Sequence, residues 1–462
     1  MLRILFILLL TVGLSKGQPL ARRIRPVLKQ NDRVHWGIHA IQLKTGRILA
    51  SVNADQFFVP ASNTKLFSTA FALTALGPDH TFSTRALAAT PLSAEGQLKG
   101  DLILYGGGDP SLSSRRYPYN RENQFDADRL SPLRDLARQL KDKGVRHITG
   151  RILGDDTSQE IELIPSGWSA ADGLFEYGAP VSALTFNDNI FELTLSQLGI
   201  ALNPPVEYFA LFNQISQKPG EPRRVRIDRA PGSRTVTLTG NLRPDSREYV
   251  NELAVDDPAL YAAVAFRHVL LQEGIRVDGP AQARHIAPIA AETIELARRN
   301  SPPLPQLLQV VDKVSQNLHA ELMLRAARQK MPFKDFLKLA AIDEKDVSFE
   351  DGSGMSRLNL VTPKAVVQLL RFIEKQGQLP LFRGFLPVGT QDGTLRNRFD
   401  KSPKGSAIQA KTGSLSHVSA LGGYAESKRF GTIAFQIVAN NYSAPSQEVR
   451  TAIDQIALAL LQ

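Results

Sequence analysis

The chain has 462 residues, of which 43% are hydrophobic and 22% charged, an ordinary globular composition with length for two to four domains. It contains no cysteine, which excludes structural disulfides, thiolate metal sites, a cysteine nucleophile and a lipid anchor on cysteine. The formal charge of +10 suits an anionic partner, read here as the polymers of a cell envelope; nucleic acid is not expected, because the densest basic cluster (Arg22, Arg23, Arg25) has no aromatic residues interleaved.

The first residues, "MLRILFILLLTVGLSKG", combine an early Arg3, an apolar run from Ile4 to Leu14, and small residues at Ser15 and Gly17. This is the pattern of a secretory signal peptide over residues 1–17, too short to span a bilayer comfortably, so an exported protein is expected, periplasmic or secreted and cell-wall associated. From Val34, "VHWGIHAIQLKTGRILASVN" predicts an antiparallel hairpin turning at Lys44-Thr45-Gly46. The next segment, "PASNTKLFSTAFALTALGP", predicts a helix that stops at Gly77-Pro78. Ser62 stands where an N-cap belongs, and the residue three places on should then be acidic to suit the positive end of the helix dipole. That place holds Lys65.

Further on, "GQLKGDLILYGGGDPSLS" reads as a strand ending in a structural glycine turn, since Gly106 to Gly108 do not fit a phosphate-binding G-x-G-x-x-G. Residues 91–249 hold many short strand candidates, including a hairpin around Pro231-Gly232, and read as an inserted β-rich region of one or two modules. "SPPLPQLLQVVDKV" is a Pro-led helix leading into "SQNLHAELMLRAA". "AIQAKTGSLSHVSALGGYAE" and "RFGTIAFQIVANNY" read as adjoining strands, and Val449, Ile453, Ile456 and Leu460 make one apolar stripe on a C-terminal helix that should pack on the sheet.

The misplaced charge acquires a reason if Lys65 is a base. Positions i and i+3 share a helix face, and the dipole, burial and nearby cations all favour the neutral amine. A neutral lysine can take the proton of a serine hydroxyl, which is a poor nucleophile unaided. S-x-x-K followed by S-x-N and K-T-G is a serine acyl-transfer signature, and the chain has Ser315-Gln316-Asn317 and Lys411-Thr412-Gly413 in that order. Ser51-Val52-Asn53 and Lys44-Thr45-Gly46 match the same short patterns but precede Ser62. Ser353 in "DGSGMS" does not meet G-x-S-x-G and is expected in a loop near the cleft. His417 is expected in a surface or strand role, with no Ser-His-Asp triad. No ligand-spaced cluster calls for a metal, and no cofactor is expected.

The motifs and their surroundings, "PASNTKL", "GDLILYGGGDPSLS", "YGAPVSALTFNDN", "SQNLHAELML", "DGSGMSRLNLVTP", "DGTLRNRF" and "KTGSLSHVSALGGY", resemble the penicillin-recognising DD-peptidases. Within them the chain resembles the class C low-molecular-mass penicillin-binding proteins, the DacB-type D-alanyl-D-alanine carboxypeptidase/endopeptidase family S13. The resemblance implies an α/β fold: a penicillin-binding/β-lactamase-like domain, an antiparallel sheet flanked by helices, built from residues 18–90 and 250–462 and interrupted by the 91–249 insert. It implies that Ser62 attacks the D-Ala-D-Ala carbonyl, Lys65 accepts its proton, and Ser315 relays a proton to the leaving amine beside Lys411. Asn317 would bind the substrate backbone, the N–H groups of Ser62 and Ser414 the oxyanion, Thr412 and Ser414 the terminal carboxylate, with Gly413 in the aligning strand. Gln316 departs from the Asp of many relatives at a variable position. The implied partners are peptidoglycan stem peptides and, as covalent inhibitors, β-lactams; peripheral association with the envelope or membrane surface is a further expectation. A β-lactamase is disfavoured by the length of the chain, its insert and the lack of an E-x-x-x-N loop. The intact motifs disfavour a non-catalytic peptidoglycan- or partner-binding module.

Overall fold

The computed structural model describes residues 20–244, 247–286, 293–399 and 402–462, so the leader expected over 1–17 lies outside the described residues. Two compact units divide the chain. One comprises residues up to Ala70 with Lys334–Phe349 and Arg357–Gln462, the other Phe71–Phe333 with Glu350–Ser356.

The first unit is built on a five-stranded, wholly antiparallel sheet whose strand order is Ile408–Leu415, Val418–Ser427, Gly431–Asn440, His35–Gln42, Ile48–Val52. The hairpin predicted around Lys44-Thr45-Gly46 forms its far edge. Of the two segments read as adjoining strands, the first is itself a hairpin, turned at Ser416-His417. His417 takes φ +62 there, and its Nδ1–H donates to the Tyr442 carbonyl (2.7 Å), so its role lies in the turn. The C-terminal helix Ser446–Leu460 lays Val449, Ile453, Ile456 and Leu460 into the core beneath the sheet. The helix Ala21–Gln30 adds Leu20, Ile24 and Leu28 to the same core and leaves Arg22, Arg23, Arg25 and Lys29 exposed on its outer face. Burying each of these aliphatic side chains is worth about 1.5–3 kcal/mol.

The second unit contains a mixed five-stranded sheet, ordered Ala281–Arg284, Ile152–Asp155, Leu102–Gly106, Ser83–Ala88, Ile294–Asn300. The helices Ser131–Asp142 and Pro258–Gln272 share its hydrophobic core. Three three-stranded sheets join that core, Arg276–Val277 with His147–Ile148 and Gln97–Leu98, Tyr249–Ala254 with Ile190–Ser196 and Gly199–Asn203, and Ala210–Ser216 with Thr235–Asn241 and Arg224–Asp228. The last pair is the hairpin predicted around Pro231-Gly232. Two consecutive helices, Leu304–Lys313 and Asn317–Arg328, complete the part of this unit that bears on the site.

Candidate active site

The turn that carries Ser62 is pinned from several sides. Ala61 adopts φ +48, a left-handed conformation that costs a non-glycine residue roughly 1–2 kcal/mol and so must be held by its surroundings. Ala61–Asn63 form a single 3-10 turn that runs into the helix Thr64–Leu76, with Pro60 rather than Ser62 at the cap position. Thr64 Oγ1 donates to the Ala61 carbonyl (3.0 Å), and Asn359 Nδ2 donates to Thr64 Oγ1 (3.2 Å). Asn63 Nδ2 donates to Gln436 Oε1 on the sheet (2.8 Å). Gly422 makes room for that pair: a Cβ at this position would stand 2.1 Å from Gln436 Oε1 and 2.8 Å from Asn63 Nδ2.

Residues 64–73 are buried without interruption and are apolar save for Thr64, Lys65, Ser68 and Thr69, so this stretch of the helix is enclosed on every face. Lys65 is completely buried, Ser62 only partly, and Lys65 Nζ lies 3.0 Å from Ser62 Oγ. The serine hydroxyl is therefore engaged by the lysine, at the distance a nucleophile–base pair requires.

Lys411 to Ser414 lie on the near edge strand of the same sheet. Lys411 is fully buried and its Nζ donates to the Thr412 carbonyl (2.8 Å), while Thr412 Oγ1 donates to Thr394 Oγ1 (2.8 Å). A Cβ on Gly413 would meet the Pro60 carbonyl at 2.6 Å and Ala61 Cβ at 3.2 Å, so the strand passes over the serine turn at a spacing only glycine permits. The first half of the edge is covered: Gly389 N–H donates to Ile408 O (2.9 Å) and Ala410 N–H to Pro387 O (3.0 Å). The two-residue period of a strand turns the backbone groups of Thr412 and Ser414 to that same outer side. Among the described residues no further segment pairs there, which leaves a short edge able to accept an extended peptide as an added strand.

Ser315 and Asn317 lie in the second unit, whereas Ser62, Lys65 and Lys411–Ser414 share the first. Ser315 sits between the two consecutive helices at φ +65, a left-handed residue in a tight connection. Gln316, in place of the Asp of many relatives, still serves as the cap of the second helix: its Oε1 accepts from the Leu318 N–H (2.9 Å). Asn317 Nδ2 donates to the Tyr177 carbonyl (2.8 Å).

Every fourth residue from Asn317 continues the grip. Glu321 accepts from the N–H groups of Gly352 and Ser353, Arg325 donates to the carbonyls of Glu160 and Glu162, and Gln329 Nε2 donates to the Ser158 carbonyl (2.8 Å). His319 Nε2–H donates to Asp188 Oδ1 (3.0 Å), and Asp188 also pairs with the buried guanidinium of Arg115. Burial alone would raise the Asp188 pKa, but Arg115 and then His319 outweigh it and hold the carboxyl well below the usual carboxylate range. Ser353 is fully buried and its hydroxyl donates to Asp351 (2.9 Å), a fixed loop residue. Of the residues that sequence alone does not single out, Glu321 has a local signal, its four-residue spacing from Asn317 and Arg325 on one helix face, whereas Arg115, Asp188 and His319 meet only in the fold.

The profile of the D-Ala-D-Ala carboxypeptidase 3 (S13) family matches residues 20–460. The chain is 30% identical over 439 residues to the D-alanyl-D-alanine carboxypeptidase of Actinomadura sp. (strain R39), covering 89% of this chain and 78% of that one. It is 27% identical over 439 residues to the D-alanyl-D-alanine carboxypeptidase DacB of Haemophilus influenzae, covering 90% and 87%. The crystal structure of penicillin binding protein 4 (dacB) from H. influenzae superposes with a TM-score of 0.81 at 26% identity, over 95% of this chain and 98% of that one.

Proposed function

Because the chain belongs to the D-Ala-D-Ala carboxypeptidase 3 (S13) family, we propose that it is a serine-type D-alanyl-D-alanine carboxypeptidase that cleaves peptidoglycan stem peptides through an acyl-enzyme. The observation that carries this reading is the buried Lys65 with its Nζ 3.0 Å from Ser62 Oγ. Ser62 Oγ attacks the carbonyl of the penultimate D-alanine as its proton passes to Lys65; the tetrahedral oxyanion is met by the N–H groups of Ser62 and Ser414. Its collapse breaks the C–N bond and releases D-alanine, whose amine receives a proton by way of Ser315, with Lys411 supplying positive charge. Water then hydrolyses the ester. Asn317 bonds the substrate backbone, Gly413 keeps the strand close, and the hydroxyls of Thr412 and Ser414 take the terminal carboxylate. The outward-facing backbone of Thr412 and Ser414 supports this alignment. Cleavage of a cross-link follows the same steps with a side-chain amine as leaving group, so DD-endopeptidase action belongs to the same proposal. The 91–249 segment is proposed as the family's insert, supported by its run of short strands.

A labelled penicillin tests the assignment. The wild-type protein should acquire one covalent label and Ser62→Ala none, and the wild type should release D-alanine from uncross-linked muropeptides. Labelling of the alanine variant would remove Ser62 from its role. Label without turnover would favour the binding module, and rapid release of hydrolysed drug the β-lactamase.

We further propose that the protein is exported to the periplasm or cell wall and rests peripherally on anionic membrane, through Arg22, Arg23, Arg25 and Lys29. The leader pattern supports export, and among the described residues no helix is long and apolar enough to cross a membrane. The four cations share the outer face of one helix, and each basic side chain near an anionic bilayer is worth about 1 kcal/mol. Exported protein should cosediment with phosphatidylglycerol-containing vesicles, dissociate in high salt, and lose the interaction when all four become Gln. Equal binding to pure phosphatidylcholine vesicles would defeat the idea.

A further inference from the structure

Glu321 has no place in the chemistry above, yet it is buried at the centre of the helix that starts with Asn317. Its Oε1 accepts from the N–H of Gly352 (2.9 Å) and of Ser353 (2.7 Å), and its Oε2 from Gly352 again (3.0 Å). The loop lies hard against the helix at this point: a Cβ on Gly352 would stand 2.9 Å from Leu324 Cβ and 3.1 Å from the Ala320 carbonyl. The other side of the loop is held by Asp351, which accepts from Trp168 Nε1 (2.8 Å), Ser353 Oγ (2.9 Å), Gly354 N–H (2.8 Å) and Ser356 N–H (2.9 Å). Two buried carboxylates thus flank Gly352-Ser353, one on the loop and one on the helix, a single turn beyond Asn317.

We propose that Glu321 is a positioning residue for acyl transfer, its ionised carboxylate clamping the Gly352-Ser353 backbone to the helix and so fixing the first turn that presents Ser315 and Asn317. Three features support the role. Both oxygens face backbone donors, and a proton on Oε2 would cost the second Gly352 contact (3.0 Å) and the negative charge that strengthens the two N–H bonds to Oε1. The spacing of four puts Glu321 directly under Asn317. Burial first, and then the Asp351 charge, push Glu321 up to about 7, while the Gly352 N–H, Ser353 and the Arg325 cation pull the other way. Arg325 is the basic group facing it, itself 3.8 Å from Glu162. The clamp therefore sits at the balance point between its two protonation states near neutral pH.

This inference rests on the serine acyl-transfer reading, and one experiment separates the two. Acylation by a labelled penicillin is followed across pH for the wild type and Glu321→Gln, with circular dichroism to check the fold. Displacing reacting groups by about 1 Å can cost on the order of 10²-fold, so the variant should acylate about 10–10²-fold more slowly than wild type well above neutrality. Below neutrality the two rates should converge, because wild type then carries the neutral side chain as well. Any titration of Lys65 affects both proteins alike and leaves this ratio unchanged. If Glu321→Gln does not fold, Arg325→Gln serves instead: loss of the cation should move the wild-type acid limb to higher pH. A wild-type-to-variant ratio that is constant across pH, or an acid limb unmoved in Arg325→Gln, overturns the clamp while leaving the serine mechanism standing. A wild type that is never acylated overturns both.

Discussion

Lys65→Met should lower the rate of penicillin acylation by about 10²–10⁴-fold with the fold intact, the loss typical of a general base. The replacement is chosen for its site. Lys65 is completely buried in a helix whose neighbours are mostly apolar, and methionine is unbranched, of similar length and an equally good helix former, so packing is kept while the amine is removed. A companion variant, Lys65→Arg, separates base from bare cation. Arginine keeps the positive charge beside Ser62 but does not deprotonate in proteins, so it should not restore the rate if the neutral amine is what matters. Stopped-flow or gel-based acylation rates decide the matter. A Lys65→Met enzyme within about tenfold of wild type, or a fully active Lys65→Arg, would remove Lys65 as the base and leave its burial next to a serine without a chemical account.

Asp188→Asn should destabilise the second unit by about 3–5 kcal/mol, the cost of leaving a buried charge without its partner. Asp188 is the hub of a dry cluster: the Arg115 guanidinium pairs with it, His319 donates to it, and all three side chains are almost inaccessible to solvent. Burial is the largest influence on His319 and lowers its pKa, so the ring is neutral and donates through Nε2–H. Asparagine keeps the size of the side chain and tolerates the left-handed backbone, φ +54, that Asp188 shares with Asn187 (φ +51) and Asn189 (φ +56). What is lost is the charge opposite Arg115. The sign with pH follows from the depressed pKa: the stabilisation is present at neutral pH and disappears only as acid protonates the folded carboxylate. The chain has two tryptophans, Trp36 in the first unit and Trp168 in the second, so denaturant unfolding followed by fluorescence in a Trp36→Phe background reports on the unit that holds Asp188. A change under about 1 kcal/mol would mean that the cluster holds nothing together.

These two residues differ in how far they could be read from the chain. Lys65 is conspicuous in sequence because it violates a local rule, a cation in the first turn of a helix three residues after a serine. Asp188 stands in "FNDN", three left-handed residues in a row, and nothing local says that its carboxylate faces His319, 131 positions away. Glu321 lies between the two: its spacing from Asn317 is legible, its acceptance of two loop N–H groups is not. Ser353 was expected in a loop near the cleft, and the structure adds that it is wholly buried in that loop on Asp351.

Short-range physics therefore accounts for what the sequence determined alone. The hairpin at Lys44-Thr45-Gly46, the helix that stops at Gly77, the apolar stripe of the C-terminal helix, and each of the short motifs at Ser62, Ser315 and Lys411 depend on residues within a few positions of each other. The tertiary structure decided which distant groups share a wall. Gly413 could be read from sequence as part of a motif, but only the fold shows that its missing Cβ lets the edge strand cross the Pro60 carbonyl, and that Gly422 lets Asn63 reach Gln436. Close approach between segments hundreds of residues apart leaves no periodicity behind, because it is set by the packing of the sheet rather than by the pitch of any one helix or strand.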